Sequence, residues 1–115
     1  MKIVVTGGAG YIGSAATHRL AADGHDLLVI DNLHQGHPTA LPAGTHFAQV
    51  DITDTDAMRE TLLDYQPDAA MHFAALTIAP ESVQDPAPFW RVNLTGTLNL
   101  LDAMRAASVN RIVFS

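Results

Sequence analysis

Short unbroken apolar runs recur along this chain. Between them lie longer stretches in which apolar residues return at three- and four-residue intervals. The first pattern reads as strands buried on both faces, the second as helices that cover them. Strands are predicted at Lys2 to Thr6, Asp26 to Asp31, His46 to Asp51, Ala69 to Phe73 and Arg111 to Ser115. A first helix is predicted from Tyr11 to about Asp23, with Ile12, Ala15, Ala16 and Leu20 on its apolar face and Gly24 as its C-terminal cap. A second starts at the Thr53-Asp54-Thr55-Asp56 signal, runs to about Tyr65 and is stopped by Pro67. A third opens at Asp85-Pro86, a capping acid before a proline, and runs to about Ser108. Its helical intervals carry Leu94, Leu98, Leu101, Met104 and Arg105. Asn32 to Thr45 and Leu76 to Gln84 read as loops.

Strands alternating with helices predict an α/β fold, a doubly wound parallel sheet of Rossmann-like type. Right-handed crossovers favour five strands in the order 3-2-1-4-5. Residues 1–115 then form one dinucleotide-binding domain, without repeats or linkers. If nothing follows the fifth strand, an apolar strand lies at a sheet edge, which favours association.

Composition narrows the partners. Hydrophobic residues make up 48% and charged residues 16%, so a packed core is expected and disorder is not. The formal net charge of −6 argues against nucleic acid and anionic membrane. There is no cysteine, hence no disulfide, thiolate zinc site or cysteine nucleophile. The apolar run at the N-terminus is too short for a signal peptide or a membrane span, and a cytoplasmic location is expected.

The candidate chemistry is concentrated at strand ends. Val5 to Ser14 places Gly7, Gly8, Gly10 and Gly13 between the first strand and the first helix. Glycines let phosphates approach the backbone, and the unpaired N–H groups of a helix start face an anion. Gly7, Gly10, Tyr11, Ile12 and Gly13 are the candidate pyrophosphate-binding residues of a dinucleotide site. Asp31 ends the second strand, eighteen residues beyond Gly13, where a carboxylate can accept hydrogen bonds from an adenosine ribose. The following Asn32-Leu33-His34-Gln35-Gly36-His37 contains no Lys or Arg, so NAD is preferred over NADP. Asp51-Ile52 could bond an adenine amino group and cover its ring; equally, Asp51 could cap the helix near Thr53. Phe73, Ala74 and Ala75 follow the fourth strand, where small side chains would let a cofactor lie on the backbone. His72, inside an apolar strand, reads as a packed core histidine rather than a catalytic one. His34 and His37 lack a matching carboxylate pair, and no metal site is expected. Asn93 lies near Gly96 in mid-helix, where glycine costs about 1 kcal/mol. Either the helix approaches the sheet closely there, or Asn93 orders the site by hydrogen bonding. Phe89 and Trp90 read as packing residues.

These segments in this order resemble the extended short-chain dehydrogenase/reductase family and, within its NAD-dependent epimerase/dehydratase branch, the UDP-sugar 4-epimerases. The resemblance covers essentially the whole chain. It rests on Val5 to Ser14, Asp31-Asn32-Leu33, Asp51-Ile52, His72 to Leu76, Glu81-Ser82-Val83, Asn93 with Gly96-Thr97, and Ile112 to Ser115. It implies tightly bound NAD, held by the residues above with Asn32 and Asn93 among them, and a UDP-sugar substrate. It implies interconversion of UDP-glucose and UDP-galactose, with hydride leaving sugar C4 for NAD and returning to the other face. A tyrosine activated by a lysine acts as base in such enzymes, and a homodimer is usual. Here the family's Tyr-x-x-x-Lys pair is absent. The tyrosines are Tyr11 and Tyr65, and Lys2 is the single lysine. The chain therefore reads as an N-terminal, NAD-binding portion, inactive alone, with no catalytic residue of its own. Thr77 and Pro80 stand where the 4-epimerases often carry lysine and glycine. Two alternatives share these features: another NDP-sugar dehydratase, epimerase or reductase, and a non-catalytic dinucleotide-binding module.

Overall fold

The computed structural model describes residues 1–115. Five parallel strands form one sheet: β1 (Lys2–Thr6), β2 (Asp26–Asp31), β3 (His46–Gln49), β4 (Ala69–His72) and β5 (Ile112–Phe114). Their order is β3-β2-β1-β4-β5, as the crossover rule predicts. β3, β4 and β5 are each shorter than their apolar runs suggested.

Alternate residues of the central strands feed two separate cores. Val4, Leu28 and Ile30 face one side, where they meet Met58 and Leu62 of α2 (Thr55–Tyr65) and the helical segment near the C-terminus. Ile3, Val5, Leu27 and Val29 face the other side, against Leu20 and Ala21 of α1 (Tyr11–Ala22). Both faces of β1 and β2 are therefore dry, which explains why their sequences carry unbroken apolar runs rather than alternation. Asp54 caps α2 by accepting the Ala57 N–H at 3.1 Å. Gly24 lies just past α1, with its N–H on Ala21 O and the His25 N–H on Leu20 O, the paired bonds of a Schellman ending.

Four expectations are corrected. Leu76 to Gln84 is not all loop: α3 (Ala79–Gln84) occupies its second half, with Pro80 in the first turn and Glu81 favourably placed against the helix dipole. Asp85 stands at the N-cap position of α4 (Pro86–Trp90), but its side chain makes no capping bond. The predicted long helix is not uniform. A π-helical segment, Arg91–Gly96, separates α4 from α5 (Thr97–Ala106). Finally, two apolar stripes are only partly as expected: Leu20 packs on the core and Met104 is buried, but other members face out. In α1 the buried line is Gly13 and Thr17, whereas Ile12 is exposed, because only small side chains fit where the helix start lies on the glycine turn. In α5 the buried residues are Leu100, Ala103 and Met104, and Leu94, Leu98 and Leu101 lie outside. The π turn adds a residue per cycle and so rotates the following helix relative to a straight one.

This rotation makes a direct prediction. Leu100 is 0% exposed and Leu98 is 52% exposed. Leu100→Ala should destabilise the chain by about 2–5 kcal/mol, whereas Leu98→Ala should stay within roughly 0.5 kcal/mol. Urea unfolding of the two variants checks it; equal losses would mean the helix faces are misplaced.

Candidate functional site

β1, β2 and β4 end side by side, and the order of strands reverses about β1. A crevice opens there, at the carboxyl ends of the strands, where open α/β sheets bind ligands. The turn after β1 forms its floor. The Gly7 N–H donates to Ile30 O at 2.8 Å, tying the turn to β2. On the other side Gly7 lies directly against the backbone after β4: a Cβ there would stand 2.5 Å from Ala74 N, and φ is +71°. Gly13, in the first turn of α1, packs on the Gly7 carbonyl, and a Cβ on Gly13 would drive into that oxygen. Turn, helix start and β4 loop can close only with hydrogen at these two positions.

The first turn of α1 is left open. Gly10 at the N-cap offers no side chain, and the turn contains no acid. Its N–H groups thus have neither an intrahelical nor a side-chain acceptor. Tyr11 and Ile12 project into solvent, 92% and 58% exposed, so these residues can serve the crevice through their backbone only.

The rim is built by two carboxylates. Asp31 is nearly buried; its Oδ2 accepts from Ala9 N–H at 3.0 Å and its Oδ1 from Leu33 N–H at 2.8 Å. The His37 N–H donates to Ala9 O at 3.1 Å, so both sides of the Ala9 residue are held by the segment after β2. Asp51 accepts from the Thr53 hydroxyl at 2.7 Å and the Thr53 N–H at 2.8 Å, and from Asn32 Nδ2 at 3.0 Å. The Thr53 hydroxyl above all, with help from Asn32, the Thr53 backbone and the nearby His34, holds the Asp51 carboxyl below its usual range despite desolvation. Asp51 therefore makes an Asx-type turn on Thr53, and capping α2 falls to Asp54.

Gly7, Gly10, Asp31, Asn32, Asp51, Ile52, Phe73, Ala74 and Ala75 all line this one crevice. Tyr11, Ile12, Gly13 and Asn93 do not. Asn93 works from outside: its Oδ1 accepts from Leu76 N–H at 2.8 Å and its Nδ2 donates to Leu76 O at 2.9 Å. Both ends of the amide thus clamp the chain after Ala75. Gly96 makes a close approach not to a strand but to Ile52 in the segment after β3, where a Cβ would stand 2.5 Å from Ile52 Cδ1. His34, Gln35 and Gly36 also line the crevice, although the sequence points to none of them as a binding residue. The available signal was Gly36, an isolated glycine in the segment that follows Asp31.

Other side chains are placed away from this chemistry. His72 is 3% exposed, with Nδ1 2.6 Å from Thr6 Oγ1 and Nε2 2.9 Å from Thr97 Oγ1. It is the packed histidine expected, and burial lowers its pKa. Lys2 and Tyr65 do meet, with Lys2 Nζ 4.4 Å from the centre of the Tyr65 ring. They lie at the opposite, amino end of β1. Burial and the neighbouring Asp26 push the Tyr65 phenol up, the wrong direction for a base. No group of His, Cys, Asp or Glu side chains is arranged to hold a metal ion.

Comparison with known proteins agrees with this geometry. The model of the "NAD dependent epimerase/dehydratase family" matches residues 3–115. The chain belongs to that family. It is 47% identical to the UDP-glucose 4-epimerase of Lactobacillus helveticus over 115 residues, covering 100% of this chain and 35% of that protein. The crystal structure of the Thermus thermophilus UDP-glucose 4-epimerase in complex with NAD superposes with a TM-score of 0.96 at 39% identity, over 99% of this chain and 37% of that one. The Thermotoga maritima UDP-glucose 4-epimerase with UDP-glucose gives a TM-score of 0.95 at 33% identity, over 99% and 37%. The chain thus spans about a third of the length of most of the curated relatives it matches.

Two outcomes test the site's physics. Gly13→Ala should be strongly destabilising, by about 2 kcal/mol or more, although alanine is ordinarily the better helix former; urea unfolding that shows no loss would refute the packing of Gly13 on Gly7. The second concerns pH. The fold keeps His72 neutral, so its contribution is fully present above its ordinary pKa of 6.5 and is lost as pH falls below that value. Thermal unfolding at about pH 7.5 and about pH 5.5 should show a larger loss for the wild type than for His72→Gln.

Proposed function

We propose that this chain is the NAD-binding part of a UDP-glucose/UDP-galactose 4-epimerase. The observation that carries the reading is the convergence of an uncapped helix start, a glycine turn and Asp31 on one crevice at the strand-order reversal. The N–H groups at Tyr11, Ile12 and Gly13 receive the pyrophosphate, and Gly10, whose own N–H donates to Gly7 O, leaves the approach to them clear. Asp31 receives the adenosine ribose, and with no cation beside it, its charge repels a 2′-phosphate. Asn32 and Asp51 face the adenine edge, and Ile52 covers the ring. Phe73, Ala74 and Ala75 form the wall along which the nicotinamide half lies. Asn93 holds that wall through Leu76. Bound NAD would supply the acceptor and donor for the sugar C4 hydride, and this chain's residues would bind and orient it. In the proteins it resembles, crystals with NAD and with UDP-glucose support this choice of cofactor and substrate.

The base and the sugar site are not supplied by residues 1–115. Tyr65 is held protonated by its surroundings, and Lys2, the single lysine, sits beside it away from the crevice. The 115-residue chain alone should therefore bind NAD and show no epimerase turnover. In the whole protein we place a homodimer contact on the outer face of α4 and α5. Trp90, Leu94, Leu98 and Leu101 are all exposed along α4, the π segment and α5, and a second copy would cover them. An acidic surface and the lack of cysteine accord with a cytoplasmic enzyme that engages neither nucleic acid nor membrane.

Calorimetric titration of the chain with NAD and NADP tests the core of the reading. NAD should bind the more tightly, and Asp31→Asn should weaken NAD while narrowing the gap between the two. No NAD binding by the folded chain, or equal affinity for NADP, would overturn it.

A further inference from the structure

One hydrogen-bonded chain crosses the molecule beneath the crevice and has no part in the proposed cofactor contacts. The Thr97 hydroxyl donates to Asn93 O at 2.7 Å, so its oxygen is left to accept. It accepts from His72 Nε2–H at 2.9 Å. Nδ1 is then the unprotonated ring nitrogen, and it accepts the Thr6 hydroxyl at 2.6 Å. The order Thr6, His72, Thr97, Asn93 runs from β1 through β4 into the π-helical segment, and every hydrogen has one direction. Thr6 is 0% exposed and no buried side-chain polar atom in the molecule lacks a partner.

The π segment is the element that needs holding. Its wide turn replaces α-helical hydrogen bonds, and it meets the crevice through Val92, which lines it, through Asn93 on Leu76 and through Gly96 on Ile52. Asn93 itself is exposed, so packing does little to fix it. Thr97 is the first residue of α5 and bonds both backward to Asn93 O and across to the sheet.

We infer that His72 and Thr97 are positioning residues for the crevice: they fasten the π segment to β4, and so hold Asn93 in its clamp on Leu76. The neutral Nε2–H ring is the form that fits, because only it donates to Thr97 while accepting from Thr6. Neither residue touches the cofactor in this scheme. The effect on NAD rests on the proposed function; the effect on Leu76 does not.

Thr97→Val removes the hydroxyl at constant shape, leaving the His72 N–H and the Asn93 carbonyl without it. Thr97→Ser restores the hydroxyl. Leu62→Val, a core truncation under α2, serves as a comparison for general destabilisation. Amide hydrogen exchange of the cofactor-free chains should show Leu76 N–H exchanging about fivefold to tenfold faster in Thr97→Val, with β1 and β2 amides changed much less. NAD affinity should fall by a similar factor. Thr97→Ser should return both quantities to within about twofold of wild type. Leu62→Val should raise exchange throughout the fold without singling out Leu76. Unchanged Leu76 exchange in Thr97→Val, failure of serine to rescue it, or the same pattern in Leu62→Val would overturn the inference. If the wild-type chain does not bind NAD, the proposed function fails, and the Leu76 exchange still decides this one.

Discussion

The structure depends on the contact between the glycine turn after β1 and the backbone after β4. Gly7 meets Ala74, and Gly13 meets Gly7, with no room for a Cβ at either place. This contact fixes how near α1 can stand to the sheet and where its first turn points. It also sets the width of the crevice, because Phe73, Ala74 and Ala75 form its opposite wall. A side chain in the turn would push the two walls apart and carry the helix start with them. The glycines are therefore packing residues first, and an anion site follows from what their packing leaves uncovered.

The second support is built from polar groups. Asp31 and the His37 N–H hold the residue Ala9 from both ends, and Asn93 holds Leu76 in the same two-sided way. Loops after parallel strands have no sheet partners for these backbone groups, so side chains supply the partners. The same bonds give the loops a defined course. Asp31 serves twice in this way: one carboxylate orders the turn beside it and its own loop, and remains at the edge of the crevice.

The C-terminal helical region shows how a local irregularity acts at a distance. The π segment brings Gly96 onto Ile52 and Asn93 onto Leu76, two residues that line the crevice. It also turns α5, so that Leu100, Ala103 and Met104 enter the core and Leu98 and Leu101 leave it. One widened turn thus links the ordering of the site with the apolar stripe on the outside of the molecule.

Much of this was legible in the sequence. Apolar runs at Ile3-Val4-Val5 and Leu27-Leu28-Val29-Ile30 require strands buried on both sides, and burial on both sides requires helices on both faces. Chirality of the crossovers then leaves few strand orders. The glycine spacing and Asp31 could be paired at sequence level because both lie at strand ends, and parallel strands bring those ends together. What the sequence could not determine were directions. Ile12, Leu94, Leu98 and Leu101 have helical spacing, but spacing marks a stripe without saying which stripe faces inward. That was decided by the small residues Gly13 and Thr17 under α1 and by the π turn before α5, both consequences of contacts with segments distant in the chain. The same holds for Asn93 and Thr97. Their partners Leu76 and His72 are 17 and 25 residues away in sequence, and only the packing of helix on sheet puts them within reach of a hydrogen bond.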